Sequence, residues 1–258
     1  MRDGAVRVVK GLALPVVLIA AWWFASAGST DFYRPPLRKI MVAFADTWFG
    51  QRMLDDVLPS LARLLIGYLA ALVIGIALGV AIGANTKLRA ATEPVLEFLR
   101  AIPPPVLVPI LILFVGFGDL MKVLVVISGC VWPVLLNTVE GVRAVDEVLS
   151  DTCRGYNIKG IGRLRHLVLR SASPQIVTGA RQALSIGIIL MVISEMVAAQ
   201  SGLGFTVVQF QRGFQIPEMW SGVLLLGLLG VALSLAFRLV ERQVLGWYHG
   251  LRAAEREW

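Results

Sequence analysis

Apolar residues in this chain fall into long runs rather than the short one-faced or alternating clusters of a water-soluble core. Five runs lack any charged residue: 11–30, 64–86, 101–118, 123–139 and 219–237. Each approaches the about 20 residues that a helix needs to cross a bilayer. A sixth run, 176–199, carries Arg181 near its start and Glu195 near its end. Backbone amides cannot stay unpaired in hydrocarbon, so each run is expected to be helical. The pattern predicts an all-α membrane protein with six transmembrane helices, forming a single domain over 1–258.

The first run admits two readings. Arg2, Arg7 and Lys10 precede it, and Ala25-Ser26-Ala27 resembles a signal-peptidase site. Trp22 and Trp23 suit an interfacial anchor, and the rest of the chain is membrane-bound in any case. Retention as a helix is the favoured reading.

Orientation follows from the basic residues between the runs. With the N-terminus inside, 17 of the 24 Lys and Arg residues face the cytoplasm. The outer 7 are Arg34, Arg38, Lys39, Arg52, Arg63, Lys122 and Arg212. The positive-inside rule therefore expects both termini in the cytoplasm of a multi-pass protein of the cell (inner) membrane. Residues 31–57 then lie outside. Pro35-Pro36 precedes an amphipathic helix there, with Ile40, Met41, Phe44 and Trp48 on its apolar face against the membrane surface. Residues 140–173 lie inside and carry six basic residues.

Composition agrees with this reading. Hydrophobic residues make up 57% of the chain and charged residues 16%, against about 25% charged in soluble domains. The net charge of +7 is spread over short clusters between apolar runs. That suits loops at an anionic membrane surface, not a basic stripe for nucleic acid, which is not expected as a partner. Cys130 and Cys153 suggest neither a disulfide framework nor a metal site, and His166 and His249 read as surface residues.

Four features invite a closer reading. Gly67, Ala71, Gly75, Gly79 and Gly83 recur every four residues on the second span, a flat stripe where another helix can approach. Packing within the chain is the first reading of that stripe, contact between subunits the second. Pro103-Pro104-Pro105 opens the third span, and Pro109 is expected to bend or open it. Glu195 is the acidic residue inside an apolar run, so it marks either a pathway or a paired structural site, unless it lies at the outer interface. Gly155 and Gly160 have the spacing that begins a phosphate-binding loop, but Ile161-Gly162 follows where Lys and Ser/Thr are required. Neither ATP hydrolysis nor other enzyme chemistry is expected of this chain.

The stretch 145–204 resembles the signature region of binding-protein-dependent ABC importer permeases. The family pattern runs Glu-Ala-Ala, then a glycine, hydrophobic positions and often Leu-Pro, between two spans. Here Asp151-Thr152-Cys153 stands for Glu-Ala-Ala, Asn157 stands at the glycine, and Leu169-Arg170 replaces Leu-Pro. Pro174, Thr178-Gly179, Ser194-Glu195-Met196 and Ser201-Gly202-Leu203-Gly204 are similar to the branch that handles nitrate, taurine and alkanesulfonates. Ile102-Pro103-Pro104 and Gly116-Phe117-Gly118 fit it too.

The resemblance implies a type I importer permease fold and a pathway for a small solute such as a sulfonate, nitrate or related organic acid. It implies two cytoplasmic ATP-binding subunits, which hold ATP and magnesium, an extracytoplasmic substrate-binding protein, and pairing of two permease copies in membrane lipid. Asp151, Thr152, Cys153, Arg154, Gly155, Asn157, Lys159 and Gly160 fall in the loop that would couple to the ATPase. Asn is the next-best residue after Gly for a left-handed turn, so Asn157 suits the glycine position. Glu195, Met191 and Pro109 are the candidate pathway or gate residues. The rival class is a proton-coupled secondary carrier built on Glu195. It would call for an inverted repeat and more intramembrane charge, and the sequence shows neither. An intramembrane enzyme is a third class, disfavoured by the lack of a catalytic constellation.

Overall fold

The stripe of small residues is the seam around which the protein is assembled. The computed structural model describes residues 2–248 and 250, without the side chains of residues 2–12 and 15. His249, Arg252 and Arg256 lie outside the described residues. No strand occurs among the described residues. The helices are α1 (Arg2–Ser26), α2 (Leu37–Trp48), α3 (Leu58–Gly83), α4 (Thr86–Arg100), α5 (Leu107–Val115), α6 (Asp119–Arg143), α7 (Glu147–Gly155), α8 (Gly160–Arg163), α9 (Leu169–Ala198), α10 (Leu203–Arg212) and α11 (Ile216–Val244).

On α3, a Cβ built on Gly67, Gly75 or Gly83 would meet Val126, Val134 or Val142 of α6 at 2.8–2.9 Å. At Gly79 it would meet Thr138 at 2.5 Å. The small face of one helix thus receives the β-branched ridge of the other at matching four-residue steps. The stripe is buried inside the chain, in line with the first reading of it, and is not available as a contact between subunits.

Residue numbers rise together along this seam, so α3 and α6 run parallel. From Gly67 to Gly83 the seam is roughly 24 Å long at 1.5 Å per residue. The chain between them must return across the whole bundle, which α4 and α5 do. On its other side α6 meets α9 in the opposite direction. Gly141 faces Ala172, and a Cβ on Gly179 would lie 2.5 Å from the Pro133 carbonyl oxygen. Tyr68 closes the three-helix core by donating to the Ala180 carbonyl at 3.0 Å.

Four continuous helices are long and apolar enough to cross a membrane: Met53–Gly83, Asp119–Arg143, Gly160–Ala198 and Ile216–Val244. The pair Thr86–Arg100 and Pro104–Val115, bent by 73°, makes a fifth when taken together as one broken span. In α1 the described apolar stretch is Val16–Ser26.

The third span therefore differs from the single helix expected over 101–118. The break falls at 101–103, ahead of Pro104 and Pro105, which open a short tight turn. Pro109 sits in the first turn of α5, where no amide partner is missing, so it does not kink the helix. The bend falls at the triple proline, where consecutive prolines disfavour the helical conformation for the residues before them and Pro103 is extended. The segment 140–173 is also more helical than a loop: α6 runs to Arg143, and a continuous helix restarts at Gly160.

The amphipathic segment after Pro36 is helix α2, but its apolar face is covered by protein. Leu37, Ile40, Ala43 and Trp48 are buried, whereas Met41 is exposed. Trp48 donates from Nε1 to Ser221 Oγ of α11 at 3.0 Å and packs edge-on against Phe210. The indole finds its hydrogen bond inside the bundle, so α2 is not a free surface helix lying on lipid.

Candidate functional site

Two groups of residues stand out, one at each end of the α3–α6–α9 core. At the end where α6 finishes, Asp146 caps α7 by accepting from the Leu149 amide at 3.0 Å. No residue of α7 is buried. Val148, Tyr156 and Ile161 are 72%, 78% and 78% exposed, an apolar surface left open among the described residues. Asp151 and Arg154 form an exposed ion pair one turn apart, and Thr152 Oγ1 donates to the Val148 carbonyl. Cys153 is half-buried, and Gly155 ends the helix in ordinary helical conformation.

Asn157 then adopts φ +54°. Its amide donates to the Arg154 carbonyl at 3.0 Å, and the Ile158 amide donates to Cys153 at 2.8 Å. Those two bonds, together with a left-handed residue, make a Schellman stop. Lys159 is extended, and Gly160 takes a second left-handed conformation at φ +56°. The chain therefore turns between α7 and α8 over the four residues 156–159. Arg163 fixes the two helices by donating to Ser150 Oγ at 3.1 Å.

At the opposite end lies a buried ion network that the sequence showed only in part. Glu195 has no exposed surface. Its carboxylate accepts from Ser60 Oγ at 2.7 Å, Arg63 Nη1 at 2.7 Å and the Gly204 amide at 3.0 Å. Arg63 also donates from Nε to Asp119 Oδ1 at 2.8 Å and contacts Ser201. Lys122 donates to the same Asp119 oxygen at 3.2 Å. Asp56 accepts the Gly202 amide at 3.0 Å, and Ser60 accepts the Leu203 amide at 2.9 Å.

Three amides at the start of α10 thus receive side-chain acceptors from α3, from Asp56 in the turn just before it, and from α9. Helix N-termini leave such amides unpaired and favour negative charge nearby. Gly202 and Gly204 are glycines because both press on the same helix: a Cβ at 204 would lie 2.5 Å from the Val192 carbonyl. One turn before Glu195, Met191 is buried in the core, while Pro109 is exposed on α5. The three residues do not form one cluster. Ser60, Arg63, Asp119 and Lys122 escaped the sequence reading because they flank apolar runs. The signal that could have found them is the pairing rule: a carboxylate inside an apolar run requires a cation from another helix.

Four long apolar helices, a broken pair between two of them and an exposed capped helix at one end define a multi-pass membrane protein. Residues 71–245 match the family described as binding-protein-dependent transport system inner membrane component, and the chain belongs to that family. It is 27% identical over 242 residues to a protein of Bacillus subtilis (strain 168) assigned as an aliphatic sulfonates transport permease, covering 93% of this chain and 87% of that one. It is 25% identical over 249 residues to the taurine transport system permease protein of Escherichia coli (strain K12), covering 94% and 90%. Its fold is similar to a chain of the inward-facing MetNI methionine ABC transporter, with TM-score 0.63, 22% identity, and coverage of 73% and 94%. This chain is a multi-pass membrane permease subunit of an ABC importer, with the type I fold.

Proposed function

We propose that two copies of this chain form the translocation pathway of an importer for a small anion carrying a sulfonate or related acid group. In this reading ATP, with magnesium, is hydrolysed by two separate subunits docked on α7 and α8, and a binding protein delivers solute at the opposite end. The observation that carries it is α7 itself. This helix has no buried residue, is held in a fixed pose by caps at both ends, and presents Val148 beside the exposed Tyr156 of its C-cap and Ile161 of α8, which suits insertion into a partner's groove.

The end that bears α7 also carries Lys87, Arg89, Arg100, Arg143, Arg163 and Arg165, so it is assigned to the cytoplasm. The sulfonate and taurine relatives support the solute class. Leu113, Phe114 and Phe117 of α5 and the turn after it are 77–85% exposed, and offer the apolar face for the second copy. A proton carrier built on Glu195 is disfavoured, because that carboxylate is held by three donor groups with no surface open to water.

The test is purification of the tagged chain from its native membrane, followed by ATPase assay of the complex. Wild-type chain should bring down ATPase activity. Val148→Glu and Ile161→Glu should lose it while the permease itself stays folded. Undiminished ATPase recovery with both variants would place the partner elsewhere.

A further inference from the structure

We infer that the cleft at the outer end of α3, α6 and α9 is an anion subsite, in which Arg63 and Lys122 take a sulfonate or carboxylate headgroup in exchange for the side chain of Asp119. The inference rests on the importer reading above and adds to it a place within the membrane subunit where solute is recognised. The cleft has a volume of about 470 Å³, within the usual range for small-ligand sites, and Arg63, Asp119 and Lys122 line it together with Phe117 and Val197.

Burial separates the two carboxylates of the network into different roles. The side chains of Arg63 and Lys122 are only 7% and 5% exposed, so neither cation can satisfy itself with bulk water. Glu195 is wholly buried and bonded to Ser60, Arg63 and Gly204, so it is a fixed counter-charge. Asp119 is 67% exposed and meets both cations from the open side. It can swing into water at little cost, provided another anion replaces it. The cations cannot do the reverse.

Donor capacity is consistent with such an exchange. Among the described residues, the three-donor ammonium of Lys122 has a single acceptor, Asp119 Oδ1. A tetrahedral sulfonate offers three oxygens, enough for Lys122 Nζ and Arg63 Nε at once. Phe117 and Val197 are 77% and 65% exposed on the cleft walls and supply apolar cover for a short organic tail.

The experiment uses full-length chain in lipid nanodiscs, with ethanesulfonate as the anionic probe and ethylammonium as the cationic control. Gln200 lines the cleft and is exposed, so maleimide labelling of Gln200→Cys, read at that peptide by mass spectrometry, reports occupancy. Ethanesulfonate should slow labelling and ethylammonium should not. Adding Asp119→Asn should lower the half-protecting concentration by about tenfold or more, and Lys122→Gln should raise it by a similar factor. A purely structural ion network predicts the opposite for Asp119→Asn, since removing the counter-charge would loosen the site. No protection up to about 100 mM probe, equal protection by both ions, or an Asp119→Asn value at or above wild type would each overturn the subsite. If the charge variants fail to fold, the comparison of the two ions on Gln200→Cys alone decides. ATPase co-purification is unaffected by this result, so loss of the subsite and loss of the importer reading remain separable.

Discussion

The Glu195 carboxylate occupies the space that a side chain at Gly202 would need. A Cβ at position 202 would lie 2.5 Å from Glu195 Cδ, and the glycine has φ +118°, a conformation that L residues rarely adopt. Gly202→Ala should therefore incur both a collision and backbone strain, together about 1–3 kcal/mol. A lowered midpoint of thermal unfolding in detergent would show it; an unchanged midpoint would mean that the turn relaxes freely.

Removing the carboxylate should be worse than crowding it. Glu195→Ala leaves Arg63 buried without one of its two counter-ions and strips an acceptor from Ser60 and the Gly204 amide. Breaking one side of a buried pair costs about 3–5 kcal/mol. The expected outcome is a sharp fall in folded yield, with Glu195→Gln in between because it keeps an acceptor. If Glu195→Ala instead unfolds like wild type but fails in uptake, its role is in transport and not in the fold.

The α3–α6 seam gives a contrast between glycines. Gly79→Leu would drive its Cβ to 2.5 Å from Thr138, whereas Gly227 on α11 has nothing within 4 Å. The first substitution should destabilise by about 1–3 kcal/mol or more, and Gly227→Leu should be close to neutral. Chemical denaturation of both variants in matched micelles distinguishes them.

At the other end of the molecule, Asn157→Gly should be tolerated and Asn157→Val should not. A β-branched residue at φ +54° costs about 1–2 kcal/mol, enough to shift a short exposed helix out of its pose. Solute-stimulated ATPase activity of the reconstituted complex should fall for the valine variant and persist for the glycine variant. Equal stimulation in both would separate this turn from coupling.

Orientation is open to direct test with reporter fusions. Fusions after Arg143 and after Val244 should report the cytoplasm, and one at Arg38 should report the outside, as the distribution of basic residues requires. An external signal after Arg143 would remove α7 from reach of any ATPase.

Much of this was legible along the chain. Span lengths are set by the bilayer, and the runs at 64–86, 123–139, 176–199 and 219–237 each overlap a helix long and apolar enough to cross one, with 84–86 and 199 lying past the helix ends. The stripe at Gly67, Ala71, Gly75, Gly79 and Gly83 announced a close helix approach. Asn157 stood where a left-handed residue was wanted, and it has φ +54°. Helix ends were less legible. Arg63 bounds the run 64–86 without ending its helix, and Asp56 and Arg165 lie further out in continuous helices, since backbone hydrogen bonding continues past the hydrocarbon boundary.

The sequence by itself determined that the chain is built of long apolar helices suited to a membrane, and that the polar segment 140–173 differs from the rest. Those properties are local: they depend on length, periodicity and single-residue conformations. Only the tertiary structure decided that α3 and α6 run parallel, that the third span breaks ahead of Pro104, and that Glu195 answers to Ser60 and Arg63 from 135 and 132 positions away. The physical reason is that a buried charge requires a partner but does not say which. That choice is made by whichever helices the small-residue seams bring together.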